Sequence, residues 1–291
     1  MWNIILVFMV LVTNKEVMEP AFEAGYAVGA FNINNMEIVH AIVEAAVQER
    51  SPVILAASKS AIKYAGIKYL STLAHIAAEE SDVPVALHLD HGPDLDTVLA
   101  CIRAGFTSIM IDGSKMPFEE NVAITRKVVE VCHPLGIPVE AELGKLVGVE
   151  DDISVTEREA SFTDPEDAKR FVEETGCDFL AVSIGNAHGI YKGEPKLDFD
   201  RLKEIHEIVD IPLVLHGASG IPDGDIRKAT SSGISKINID TELRLAFRDG
   251  VRSVVCESEV YDPRKFVGAA RDAMRDVVIK KIRLFGSSGR V

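Results

Sequence analysis

The chain is short of cysteine, of positive charge and of long apolar runs. Its four cysteines, Cys101, Cys132, Cys177 and Cys256, are widely spaced and form no C-x-x-C pair. They read as reduced thiols, partly buried in a core, rather than as a disulfide framework. Basic residues number 31 against 45 acidic, for a formal charge of −14. Such a surface repels phosphate backbones, so no nucleic-acid partner is expected. A small phosphorylated substrate stays compatible with it, because backbone N–H groups and a few cations can make one pocket positive.

The longest apolar stretch, Trp2 to Val12, is interrupted only by Asn3. It is about 11 residues long, where a membrane span needs roughly 20. No Lys or Arg precedes it and no clear small-residue cleavage site follows. Neither a signal peptide nor a membrane anchor is expected, and the cytoplasm is the expected location. Two readings of the segment stay open. Met9 could be the natural start, or residues 1–12 form an apolar flap ahead of a domain spanning 13–291. Low-complexity linkers and internal repeats are also missing, as is a G-x-G-x-x-G after the first strand. The last absence weakens a doubly wound nucleotide-binding sheet.

What is present is a regular alternation. Eight apolar, β-branched-rich runs fall at 27–32, 53–57, 85–90, 108–112, 138–143, 178–184, 212–216 and 235–240. Segments with helical spacing separate them, among them 38–50, 68–80, 95–104 and 119–133. Pro52 and Pro84 precede runs, and Pro138 and Pro212 open them, as expected where a helix gives way to a strand. Eight such units predict a (β/α)₈ TIM barrel, a single domain, with a helical C-terminal extension over 241–291.

In that fold, polar residues at the strands' C-terminal ends share one face. The runs end on Asn32, Ser58, Asp90, His91, Asp112, Glu140, Glu142, His188, His216 and Asp240. Three of these repeat a pattern. His91, His188 and His216 are each followed by glycine at a strand end, and three imidazoles there can converge on one metal ion with an open position. Asp90 sits beside the first. His40, His75, His133 and His206 fall in helical stretches and read as ordinary residues, and His88 reads as structural, facing into the barrel. Asp94 reads as a helix cap.

The loops after the seventh and eighth runs, Gly217-Ala-Ser-Gly220 and Asn238-Ile-Asp-Thr241, stand where such barrels build phosphate sites, and Lys192 offers a nearby cation. The glycine-spaced, acidic segment 143–152 and the polar stretch 153–160 read as a long, mobile loop over the barrel mouth. A carboxylate on it could act as a base when the loop closes; the plainer reading is a solvated acidic loop.

Taken together, Tyr26–Asn32, His88–Gly92, Glu140–Gly144, His216–Gly220 and Asn238–Thr241 resemble class II, metal-dependent fructose-1,6-bisphosphate aldolases. The resemblance spans about residues 13–285. It implies reversible cleavage of fructose 1,6-bisphosphate to dihydroxyacetone phosphate and glyceraldehyde 3-phosphate, through an enediolate stabilised by zinc. It also implies a cytoplasmic enzyme of glycolysis and gluconeogenesis, in a homodimer or homotetramer. His91, His188 and His216 would hold the Zn2+, and Asp112 and Glu142 would form a second metal position. Asp90 would carry the proton of the C4 hydroxyl. Glu150 would exchange the proton on the dihydroxyacetone phosphate carbon. Gly189, Lys192, Gly217, Ala218, Ser219, Asn238, Ile239, Asp240 and Thr241 would contact substrate and phosphate, and Ser58 and Arg244 would bind phosphate at the far end.

A monovalent cation, Na+ or K+, at the phosphate is left open. One departure stands out: the family often carries Ser-Glu-Gly where this chain has Ser58-Lys-Ser60. Two competing functions remain, a tagatose-1,6-bisphosphate aldolase and a non-catalytic metal- or phosphate-binding relative. The tagatose branch tends to have alanine at the position of Asp240, which favours fructose bisphosphate here.

Overall fold

The structure, a computed structural model, describes residues 11–145, 147–150, 153–155, 161–191, 193–256 and 259–291; the side chains of 147–150 and 153–155 lie outside that description. Eight parallel strands close into a barrel. They are β1 (Val28–Asn32), β2 (Val53–Ser58), β3 (Val85–Gly92), β4 (Ser108–Ile111), β5 (Val139–Leu143), β6 (Phe179–Val182), β7 (Leu213–Leu215) and β8 (Ile234–Ile239). Each pairs with its neighbour in chain order, and β8 closes on β1 with Val28 opposite Lys236. The expected TIM barrel is what forms, with each strand within a few residues of its apolar run.

The helices are α1 (Asn14–Ala24), α2 (Met36–Glu49), α3 (Lys59–Ala65), α4 (Ile67–Glu79), α5 (Leu95–Arg103), α6 (Phe118–Cys132), α7 (Pro165–Thr175), α8 (Phe199–Ile208), α9 (Asp223–Ser231), α10 (Thr241–Val255) and α11 (Pro263–Phe285). Local chemistry sets several starts. Asp94 caps α5 by accepting from Thr97 N at 2.7 Å, as expected of it. Pro263 is the first residue of α11 behind its cap Asp262, because proline's missing N–H costs nothing there. Helix α11 packs on α10 and α2.

Strand parity divides the interior. Val53, Leu55, Leu87, Leu89, Ile109 and Ile111 point outward into the core shared with the helices. Val28, Ala30, Ile54, Ala86, Phe179, Ala181 and Val214 point inward and form a second cluster with Val17, Met18 and Ala21 of α1. Helix α1 therefore plugs the N-terminal end of the barrel. Thr13 starts it with a capping box shared with Glu16.

Above this apolar plug the inward positions turn polar: His88 and Asp90, Glu140 and Glu142, Lys236 and Asn238, all buried. The N-terminal residues 1–10 lie outside the described residues, and Val12 bridges to Ala86 at the base of β3.

One expectation changes. The stretch after β5 holds two short strands, Val147–Glu150 and Ile153–Val155, paired antiparallel, where a long mobile loop was expected. The first also pairs parallel with Ala187–His188. Alternating β-branched residues, Val147 and Val149 with Ile153 and Val155, supply the strand pattern that the acidic residues between them obscured.

Candidate metal and substrate site

The strands' C-terminal ends bring the sequence-predicted groups together. Asn32 ends β1, Ser58 ends β2, Asp90 and His91 lie near the end of β3, and Asp112 follows β4. Glu142 lies in β5, His188 and His216 follow β6 and β7, and Asn238 lies in β8. The imidazole centroids of His91 and His216 are 4.6 Å apart, those of His91 and His188 5.1 Å, and those of His188 and His216 6.1 Å.

Asp90 and His91 both face this cluster, which a regular strand forbids, since neighbours alternate between faces. By parity His91 would continue the outward row of Leu87 and Leu89. It is turned inward by a left-handed backbone, φ 48°. The register of β3 against β4 slips over the same residues, between Leu89 and Gly92. This is an irregularity of the kind that re-aims a side chain at an active site. Gly92 completes the bend, because a Cβ there would collide with the Met110 carbonyl oxygen and the Leu89 side chain.

Hydrogen bonds fix how the imidazoles present themselves. His91 Nδ1 meets Asp112 Oδ2 at 2.9 Å, and Glu142 Oε2 lies 3.7 Å from the same nitrogen. His216 Nε2 meets Glu140 Oε1 at 2.8 Å. The carboxylates only accept, so these ring nitrogens carry the protons. The other two, His91 Nε2 and His216 Nδ1, are buried with no hydrogen-bond partner. Unsatisfied buried nitrogens are costly, and a metal ion is a partner that would satisfy both.

Ligand atoms within 4.8 Å of one another occur in two groups among the described residues, Asp90 with His91 and His216, and His91 with Asp112 and Glu142. His188 belongs to neither group; its ring stands edge-on to those of His91 and His216.

The electrostatics also favour a cation. Burial opposes a charge on His91, but the hydrogen bond it donates to Asp112 and the charges of Asp90, Asp112 and Glu142 carry its pKa up to about 10. Burial, then the charge of Asp112, push Glu142 well above the usual carboxylate range. His188 and His216 are pushed well below theirs, by burial first and then by the charge of His91. Three carboxyls around one imidazole make a field that holds a proton tightly and would hold a divalent ion in its place.

Asp90 is 2% exposed yet ionised. Burial works against its charge, and His91, His216, Lys236 and the Asn32 hydrogen bond outweigh it, leaving its pKa lowered. Asn32 Nδ2 donates to Oδ2 at 2.8 Å and Asn238 Nδ2 to Oδ1 at 3.0 Å.

Beside the cluster lies the loop after β7. Gly217 has φ 60°, and a Cβ there would run into the Ala187 backbone. Tyr191 ties the loop down, donating to Gly217 O at 3.0 Å and accepting from Ala187 N at 2.8 Å. Ser219 Oγ accepts from Glu242 N at 3.3 Å, joining this loop to the start of α10. Asp240 pairs with Arg244, Nε to Oδ1 at 2.7 Å. Ser58 Oγ accepts from Ala61 N at 3.3 Å and caps α3. Gly189 makes its turn after His188 with φ 83°. Ala218, Ile239 and Thr241 sit in the same rim of loop, strand end and helix start. Lys192 and the Glu150 side chain lie outside the described residues.

Sequence reasoning placed Glu140 among the polar strand-end residues without giving it a role, and missed Lys236. Glu140 and Lys236 are fully buried one layer below the imidazoles and ion-paired at 2.8 Å. Their signal was present: each is a charge two residues before another inward polar residue, Glu142 or Asn238. His88 is structural, as expected, bonded to Ser108 Oγ at 3.0 Å. The other four histidines lie in or beside helices.

A TIM barrel with ligand-ready imidazoles beside an ionised carboxylate defines a metal-dependent barrel enzyme for a small polar substrate. Comparisons with known proteins give the family. Residues 12–290 match the family model described as fructose-bisphosphate aldolase class-II. A fructose-bisphosphate aldolase from Thermus caldophilus is 48% identical over 96% of this chain and 99% of its own length. Among solved structures, the YdjI aldolase of Escherichia coli K12 is 38% identical with a TM-score of 0.86, covering 96% of this chain and 99% of that one. The fructose-bisphosphate aldolase of Campylobacter jejuni is 25% identical with a TM-score of 0.83 over the whole of both chains. The chain belongs to the class II fructose-bisphosphate aldolase family and is a metal-dependent lyase of that class.

Two predictions follow from this geometry. Gly92→Ala should cost about 1–3 kcal/mol, the usual range for overpacking, and, with His91 as a proposed zinc ligand, weaken zinc binding by displacing it. Urea unfolding and a zinc competition assay would show both effects, and an unchanged zinc affinity would mean that the β3 bend does not set the site. If zinc is held through His91, its binding to chelator-stripped protein near pH 7.5 should release about one proton, because the surrounding carboxyls carry the His91 pKa up to about 10. Calorimetry in buffers of different ionisation enthalpy reads this directly, and equal heats in all of them would contradict it.

Proposed function

We propose that the chain catalyses the reversible cleavage of fructose 1,6-bisphosphate to dihydroxyacetone phosphate and glyceraldehyde 3-phosphate, with zinc held by His91, His188 and His216. One observation carries this reading. Two unpartnered imidazole nitrogens face an ionised Asp90 in a chain 48% identical to a curated fructose-bisphosphate aldolase. When bound, zinc would supply Lewis-acid stabilisation of the negative charge that develops as the carbon–carbon bond breaks, which removes the need for a lysine Schiff base.

The protein groups divide the remaining work. Asp90 takes the proton from the C4 hydroxyl. The C3–C4 bond then breaks, C4 leaves as the aldehyde of glyceraldehyde 3-phosphate, and the electron pair stays on the dihydroxyacetone phosphate fragment. A base must be ionised and fixed in direction for this, and the amides of Asn32 and Asn238 hold both oxygens of Asp90. The amide oxygens of the same two residues are buried and unpartnered, and they offer acceptors to substrate hydroxyls. Glu150 is assigned the return of a proton to C3; its strand runs beside the Ala187–His188 strand.

Gly217, Ala218 and Ser219, with Asn238–Thr241 at the start of α10, would hold one phosphate. Loop N–H groups and a helix N-terminus suit an anion there. Gly189 and Lys192 would contribute from the loop after β6, and Ser58 and Arg244 would meet the other phosphate. Asp112 and Glu142 would give a displaced metal a second position, although Asp112 also orients His91. Buried free thiols at Cys101, Cys132 and Cys177 suit a reducing compartment, and the cytoplasm is proposed as its location. Among the described residues no helix is long and apolar enough to cross a membrane.

Asp90→Ala should keep zinc and lose cleavage by about 10²–10⁴-fold, the range for a lost acid–base group. Metal analysis beside kcat/KM on fructose and tagatose bisphosphates checks it. Loss of zinc would make Asp90 a ligand, and a clear preference for the tagatose epimer would overturn the substrate assignment.

A further inference from the structure

Lys236 takes no part in the steps above, yet it is a fully buried ammonium in the centre of the barrel. An ammonium has three N–H donors and no acceptor. All three are used here. Two reach Glu140, at 2.9 Å to Oε1 and 2.8 Å to Oε2. The third faces His88 Nε2 at 3.4 Å.

Because Lys236 only donates, His88 Nε2 accepts, and the ring proton of His88 sits on Nδ1. That nitrogen donates to Ser108 Oγ at 3.0 Å. Lys236 is therefore fixed from below by a histidine that cannot turn without losing that bond. From above, Glu140 Oε1 takes a further hydrogen bond from His216 Nε2 at 2.8 Å. With its proton on Nε2, His216 carries its lone pair on Nδ1, the buried nitrogen that has no partner.

We propose that Lys236 is a positioning residue for the metal. Its ammonium locks Glu140, and Glu140 holds His216 in the tautomer and ring angle that aim Nδ1 at the ion. The inference rests on the reading of His216 as a zinc ligand. Partners of ligating histidines commonly set tautomer and ring orientation, and their loss weakens metal binding. What is particular here is that the partner carboxylate is held by a cation on the far side of the barrel. Without it, Glu140 would be a buried charge free to swing towards His88, whose Nε2 is 3.6 Å from Oε2.

The test reads the histidine nitrogens as well as activity. In cadmium-substituted wild-type protein with ¹⁵N-labelled histidine, the metal should couple to His216 Nδ1, with the proton on Nε2. Coupling to Nε2 overturns the proposal without any variant. Lys236→Met should bind zinc about 10–100-fold more weakly, the range for a lost partner of a ligand, and show mixed His216 tautomers. The double variant Glu140→Gln with Lys236→Met restores a neutral acceptor and should recover much of the affinity. Zinc affinity and tautomer unchanged in Lys236→Met, or no recovery in the double variant, would refute the role. If His216→Ala bound zinc as tightly as the wild type, it is the underlying assignment of His216 as a ligand that would fall.

Discussion

A β-strand sends alternate side chains to opposite faces, and this site needs two neighbours on the same face. Asp90 already points into the barrel with His88 and Ala86. His91 joins it only because its backbone enters the left-handed region and β3 slips its register at that point. Asp90 and His91, proposed as proton carrier and metal ligand, could otherwise not be adjacent in sequence and in space. Everything else at the rim is arranged around that pair. Asn32 and Asn238 reach Asp90 from β1 and β8, Asp112 reaches His91 from beyond β4, and His216 approaches from β7. A strained residue persists where its surroundings over-determine it, and Gly92 and the buried contacts of His91 do so here.

The second constraint is charge. Asp90, Asp112, Glu140 and Glu142 are all buried or nearly so around a small volume, and such a group of carboxyls is unstable without cations. Lys236 neutralises the lowest of them, Glu140. The upper three lean on His91, whose tightly held proton shows how strongly the field calls for positive charge. A divalent ion answers the same field and leaves the imidazoles neutral. The acidic balance of the whole chain thus has a local counterpart, an acidic barrel interior that calls for cations.

Most of the architecture could be read from the sequence, because apolar runs in a parallel barrel are buried on both faces and stand out against helical spacing. The His-Gly endings at 91, 188 and 216 and the polar strand ends were legible for the same reason. The inward turn of His91 was not, since a left-handed residue that is not glycine carries no composition signal. Lys236, and its pairing with Glu140, were missed because a charge inside a strand reads as a strand boundary. Period-two spacing, with Glu140 before Glu142 and Lys236 before Asn238, was the available clue. The hairpin after β5 was hidden by its acidic turn. The roles of Asp90 and Glu150 came from family resemblance, and only for Asp90 does the described geometry add a physical basis.

A single imidazole-bound metal is proposed to drive the cleavage. The most direct measurement titrates zinc into chelator-stripped protein while following fructose 1,6-bisphosphate cleavage. Activity should be absent in the stripped protein and should rise to saturation at about one zinc per chain, since a catalytic site of three imidazoles holds one ion. Full cleavage in protein shown to be free of metal, or no recovery when zinc is returned, would contradict the account.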